Sequence, residues 1–66
     1  MSEKEVFYAV RDYISKCLQK DMCFDDIAGA IGVNRSTIYR WFSGYAMPSA
    51  YAYEKLKELC ANKDAR

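Results

Sequence analysis

The side chains best suited to recognition chemistry are concentrated between residues 34 and 45. If residues 35–43 form a helix, side chains three or four positions apart share one face. The face opposite Ile38 and Trp41 then carries five polar side chains, Arg35, Ser36, Tyr39, Arg40 and Ser43. An arginine guanidinium can donate two parallel hydrogen bonds to one acceptor pair, such as O6 and N7 of guanine. This pattern favours recognition by hydrogen bonding.

Catalytic and metal-binding chemistry has no comparable support. The chain contains no histidine, and no Ser, Cys or carboxylate stands beside a plausible general base. We therefore predict that the protein is not an enzyme and has no catalytic residue. The three cysteines, Cys17, Cys23 and Cys60, form no CxxC or Cys/His pair, so we predict no metal site and no other cofactor. Cys17 and Cys60 fit reduced core thiols, whereas Cys23 fits a weak helix cap or an exposed thiol.

A single helical domain is expected to position the polar face. Sixty-six residues suffice for one small all-α domain, a compact bundle of four or five short helices. The predicted helices span about 3–20, 24–31, 35–43 and 49–62, followed by a short polar tail at 62–66. The residues at these boundaries are typical of helix ends: Ser2 with Glu5 as a capping box, Asn34 and Ser49 as N-caps, and Gly32 and Gly44 at the turns.

Apolar stripes at helical spacing predict the core of this domain. The first stripe contains Val6, Phe7, Val10, Ile14, Cys17 and Leu18. The second brings two helices together across a corner and contains Ile27, Ala28, Ile31, Val33, Ile38 and Trp41. The last contains Ala52, Leu56 and Leu59, with Tyr53 and Cys60 beside them. The polar face of residues 35–43 is thus expected to point away from a common core.

The charged residues are distributed unevenly along the sequence. The net charge of +1 would be poor support for nucleic-acid binding if the charges were evenly spread. No acidic residue occurs between residues 27 and 53, however, while Arg35 and Arg40 lie there. The carboxylates cluster at Asp25, Asp26 and the chain ends. The predicted binding surface is therefore locally positive. The alternative, a solvated helix face with salt bridges from the arginines to Asp25 or Asp26, stays open.

The stretch from Phe24 to Ser43, FDDIAGAIGVNRSTIYRWFS, resembles the helix-turn-helix of the lambda-repressor/Cro family of DNA-binding proteins. The resemblance extends through Gly44 to Met47-Pro48-Ser49. It depends on small Ala28, turn residue Gly32, apolar Val33, Ile38 and Trp41, and the following SG and PS pairs. It implies that the second helix of the motif enters the major groove of DNA.

The resemblance also implies roles for single residues. Arg35, Ser36 and Arg40 match positions that touch base edges. Four other residues match positions nearer the DNA backbone: Asn34, Thr37, Ser43 and Tyr45. To the base-reading set we add Tyr39, whose ring can cover a thymine methyl group or donate to a phosphate.

Two residues depart from the family pattern. Phe24 replaces a frequent glutamine that holds a phosphate and braces the recognition helix, so we expect it to pack on the core or contact sugar. Phe42 stands where many members carry an acidic residue, and we expect it to extend the core rather than to form an apolar contact with a second subunit.

These observations predict a sequence-specific, double-stranded DNA-binding transcriptional regulator, a Cro-like repressor of phage or bacterial type. No apolar run could span a bilayer, so we expect a cytoplasmic or nucleoid-associated protein, or the host cytoplasm if phage-encoded, with no membrane partner and no evident small-molecule ligand. A homodimer, formed in solution or only on DNA, is left open. So are two other functions: an architectural or recombination-directionality factor, and a protein-interaction module such as an antirepressor or adaptor, which the low net charge supports.

Overall fold

The computed structural model describes residues 2–61, which form four helices and no strand: α1 (Glu3–Gln19), α2 (Phe24–Ile31), α3 (Arg35–Ser43) and α4 (Ala50–Ala61). The all-α prediction is confirmed. The bounds of α2 and α3 coincide with the predicted ranges, whereas the predicted end of the last helix and the polar tail lie outside the described residues. Within the described part of the chain, no helix is long and apolar enough to cross a membrane.

Side-chain caps begin two of the helices as predicted. The amide of Glu5 donates to Ser2 Oγ and the amide of Ser2 donates to Glu5 Oε1, each at 3.3 Å. Ser49 Oγ accepts from the Ala52 amide at 3.2 Å at the start of α4. Asn34 precedes α3 with an extended backbone, but its side chain makes no capping hydrogen bond. The prediction of Asn34 as a side-chain cap is therefore wrong.

Residues in the left-handed conformation end the first three helices. Gly32 and Gly44 have φ values of 92° and 87°, which a residue with a Cβ adopts only with strain. A Cβ on Gly44 would also lie 3.0 Å from Cε1 of Phe7. After α1 the left-handed position is occupied by Asp21, with φ of 67°. The Met22 amide donates to the Cys17 carbonyl at 3.3 Å there, closing a Schellman-type helix end.

The core lies where all four helices meet. Helix α1 packs on α4 and α3, while α2 packs on α3 and α4. The buried side chains come from every predicted stripe: Val10, Ile14, Cys17, Ile27, Ala28, Ile31, Ile38, Trp41, Ala52 and Leu56. Phe7 is only half-buried and packs beside Gly44, outside this cluster. No polar or charged side chain among residues 2–61 is buried, so the described interior offers no buried titratable side chain other than a cysteine thiol.

Contacts between α1 and α4 join distant parts of the sequence. Lys20 Nζ donates to the carbonyl oxygen of Cys60 near the end of α4, where a cation is favourable to the helix dipole. The rings of Tyr13 and Tyr53 lie 5.8 Å apart. Cys17 is a buried free thiol, and burial raises its pKa. It is therefore a structural thiol, as predicted, rather than a reactive one.

Candidate nucleic-acid interface

Helix α3 is fixed in the fold by its inner face. Ile38 is fully buried and Trp41 is nearly so, and both pack in the common core. Ala28 of α2 is 4 % exposed, and its small side chain allows α2 and α3 to approach closely. Since side chains on both sides of the turn are locked in the core, the outer face of α3 is held in a defined orientation.

The outer face of α3 is the exposed polar surface predicted by helical spacing. Its five polar side chains are all exposed, at positions Arg35, Ser36, Tyr39, Arg40 and Ser43. The helix itself contains no acidic residue. Of the flanking positions expected nearer a DNA backbone, Thr37 is half-buried, Asn34 is exposed and Tyr45 is 84 % exposed. The surface is thus rich in donors that point to solvent.

One arginine of this face has an acidic neighbour on α2. Arg35 Nη1 lies 3.8 Å from Asp25 Oδ2, and each side chain is 68 % exposed. A pair at this distance in water is worth little, of the order of 0 to 1 kcal/mol. The salt bridge considered as an alternative role for Arg35 is therefore present but weak. Arg40 forms no ion pair with any residue that the structure describes.

Asp26, the residue after Asp25, has a structural role. Asp26 Oδ2 accepts a hydrogen bond from the amide of Cys23 at 3.1 Å, at the start of α2. A carboxylate is also favourable at this positive end of the helix. Cys23 is exposed and free. The two acids at the start of α2 are thus explained by the helix end and by the contact with Arg35.

Phe24 and Phe42 form an aromatic cluster with Tyr39. The Phe24 ring meets the Tyr39 ring edge-on at 5.8 Å and the Phe42 ring at 5.9 Å. Both phenylalanines pack against the core, which confirms the expectation for Phe42 and the first of the two for Phe24. A hydrophobic contact therefore joins α2 to α3.

Arg11 of α1 extends this cluster and was missed by sequence reasoning. Its Cζ lies 4.9 Å from the centroid of the Phe42 ring and 5.6 Å from that of Phe7. Both distances are within the range of cation–π attraction. The spacing of four residues between Phe7 and Arg11 was the only available signal, and nothing local indicated Phe42 as a partner.

Four of the eight predicted site residues line depressions of the surface, in two different places. Arg35, Ser36 and Tyr39 line one open cleft together with Phe24, with a volume of about 380 Å³. Ser43 lies at the far end of α3, where it lines a different depression with Glu3 and Lys4 of α1. The structure therefore groups three of the four proposed base-reading residues in one cleft, without Arg40, and places the backbone candidate Ser43 elsewhere.

A metal-binding cluster has no counterpart in residues 2–61. No three His, Cys, Asp or Glu side chains among them are arranged to hold a metal ion. Comparison of the chain with protein-family models, with curated proteins and with solved structures finds no match. The geometry of α3 and its surroundings is thus the basis for assigning a function.

Proposed function

We propose that this protein is a sequence-specific, double-stranded DNA-binding transcriptional regulator that reads the major groove with α3. The observation that carries the proposal is the contrast between the two faces of α3. Its inner face is locked in the core, while its outer face exposes Arg35 and Arg40 with no acidic residue on the helix. An α-helix fits the major groove of B-DNA, and arginine is the commonest specific reader of guanine.

The residues of α3 and its flanks are proposed to make two kinds of contact, to base edges and to the DNA backbone. Arg35, Ser36, Tyr39 and Arg40 are proposed to touch base edges, where the two guanidinium groups bind guanine O6 and N7. Asn34, Thr37, Ser43 and Tyr45 are proposed to lie nearer phosphates. Because the Asn34 side chain makes no capping bond, it leaves the first amides of α3 open for a phosphate oxygen. Contacts to the DNA backbone fix the register of the protein on the duplex, and contacts to base edges determine which DNA sequence is recognised.

The mechanism is occupancy of DNA. We assign the protein no catalytic residue. It is proposed to act as a repressor, because its presence on the DNA excludes polymerase or a competing regulator from the bound site. Its place of action is the cytoplasm, on the nucleoid or on phage DNA. If two subunits bind together, their half-sites are expected about 34 Å apart, one turn of DNA.

Selection of bound sites from a random duplex library, followed by a salt titration on the enriched duplex, tests the proposal. We expect an enriched motif containing a G·C pair and an affinity that falls steeply with salt, because each neutralised phosphate adds about 0.9 to the logarithmic slope. The symmetry of the motif distinguishes monomer from dimer binding. Failure to enrich any sequence, with only weak binding, would contradict the proposal.

Exposed tyrosines favour a second candidate, a protein-interaction module. Tyr8, Tyr45 and Tyr51 are 59 %, 84 % and 69 % exposed, and aromatic side chains are frequent anchors of protein interfaces. This candidate requires binding to a protein partner that is insensitive to salt, without affinity for DNA. The salt titration therefore separates the two functions.

A further inference from the structure

The open cleft at the beginning of α2 and α3 has apolar walls. These walls have no role in recognition by hydrogen bonding. Phe24 and Tyr39 form two of its walls, and their rings meet edge-on at an interplanar angle of 89°. Arg35 and Ser36 complete the lining. An aromatic recess thus lies directly beside the side chain that we assign to guanine.

We infer that this cleft receives the C5-methyl group of a thymine next to the guanine bound by Arg35. The inference rests on the proposed function, since the thymine is presented in the major groove of duplex DNA. Thymine is the only standard base with an apolar group at that edge, and aromatic side chains are suitable partners for the methyl group. The cleft therefore adds a second base to the site that α3 reads.

The other two lining residues fit the same occupant. The Ser36 hydroxyl can donate a hydrogen bond to thymine O4, the polar atom beside the methyl group. The ion pair with Asp25 engages only Nη1 of Arg35, whereas the guanidinium has five N–H donors. The weak contact with Asp25 thus leaves other donors of Arg35 available to guanine.

Single replacements of thymine by uracil in the selected duplex test this inference, because they remove the methyl group and no hydrogen-bonding group. We expect one thymine adjacent to a guanine at which the replacement weakens binding about fourfold, the equivalent of one buried methylene. Uracil at the other positions should change affinity less than twofold.

Two tyrosine variants assign the effect to the cleft. Tyr39 and Tyr8 are 58 % and 59 % exposed, so neither ring is needed for the buried core. Tyr39→Ala should reduce the thymine-to-uracil ratio at the sensitive position to less than twofold. Tyr8→Ala, on α1 and away from the cleft, should keep the fourfold ratio. Equal ratios in the two variants would overturn the inference.

Cytosine and 5-methylcytosine at the sensitive position distinguish the methyl group from the rest of the base. A preference for 5-methylcytosine over cytosine of about fourfold would support reading of the methyl group. Tighter binding of the 5-methylcytosine duplex than of the thymine duplex would overturn the choice of thymine.

The failure of this inference is distinguishable from failure of the proposed function. If a duplex is enriched but tolerates uracil at every thymine, the cleft does not read methyl groups, while DNA recognition by α3 stands. If no duplex is enriched, the proposed function itself fails.

Discussion

The α2–α3 pair and the α1–α4 pair share one core but present different surfaces. The α1–α4 surface carries both signs of charge, as in the ion pair of Lys16 with Asp12 at 3.1 Å. Helix α3 exposes Arg35 and Arg40 and contains no acidic residue. The acidic residues of the α2–α3 pair, Asp25 and Asp26, lie on α2, so the net charge of +1 hides a local excess of positive charge on α3. Binding capacity in so small a domain is therefore better judged helix by helix than from total charge.

The two pairs are also assembled differently. A turn of three residues, 32–34, joins α2 to α3, so their packing follows from local sequence. Helices α1 and α4 are far apart in the chain and meet through contacts such as that of Tyr13 with Tyr53. We interpret α2–α3 as the reading unit and α1–α4 as its support.

The largest effects should be shared by both pairs, because their inner faces form one core. Ile38 of α3 and Leu56 of α4 are both fully buried. Ile38→Ala and Leu56→Ala should each lower the free energy of unfolding by about 2 to 5 kcal/mol, measured by urea denaturation. If either substitution were tolerated within about 0.5 kcal/mol, the two pairs would not share a core.

The outer faces should differ in their effect on DNA affinity. Arg40→Ala on α3 should weaken binding to the selected duplex by about 1 to 3 kcal/mol, because it removes the bidentate contact to guanine that we propose. Thr37→Ala should weaken all duplexes similarly, as expected of a backbone contact. Fluorescence anisotropy at fixed salt measures each variant.

Lys57→Ala is the matched control on the α4 surface. Lys57 is exposed and carries the same charge as Arg40. Its removal should change affinity by less than about 0.5 kcal/mol. Losses of equal size for Arg40→Ala and Lys57→Ala would mean that α3 is not the preferred face.

The two left-handed glycines should respond unequally. Gly32→Ala and Gly44→Ala each force a Cβ into a left-handed conformation, at a cost of about 1 to 2 kcal/mol. Gly44→Ala should be the more destabilising, because its Cβ would meet Phe7, whereas a Cβ on Gly32 meets no atom within 4 Å. Thermal unfolding of both variants compares them, and a larger loss at Gly32 would contradict the packing of α1 on the end of α3.

A substitution at the end of α1 should increase the stability of the protein, unlike substitutions of the glycines that end α2 and α3. Asp21 adopts φ of 67° and places a carboxylate near the negative end of the helix dipole. Asp21→Gly should therefore stabilise the protein by about 0.5 to 1 kcal/mol in urea denaturation. Asp21→Asn removes only the charge and separates the two causes. A loss of stability in both variants would show that the carboxylate has a stabilising partner.

Local signals explain why much of the fold could be predicted. Caps and turn residues act within four positions, so Ser2 with Glu5, Ser49 and the two glycines marked helix ends before any packing was known. Helical spacing likewise placed Ile38 and Trp41 inside. Asn34 is the exception among the predicted caps, because its exposed side chain can hydrogen-bond to water instead.

Partners from different helices could not be predicted from spacing. The pairing of Asp25 with Arg35, the edge-on contact of Phe24 with Tyr39 and the position of Arg11 over Phe42 all depend on how helices are arranged in space. Phe24, Arg35 and Tyr39, from the first two of these contacts, line the cleft beside α3. The sequence thus indicated the polar face of α3, while the recess next to it required the three-dimensional structure.

Repeating the selection from random duplex DNA with Arg40→Ala tests most directly whether the outer face of α3 reads bases. With the wild-type protein as reference, we predict that the motif of the variant loses its preference at one G·C pair and keeps it at the other positions. A motif unchanged at every position would contradict base reading by α3.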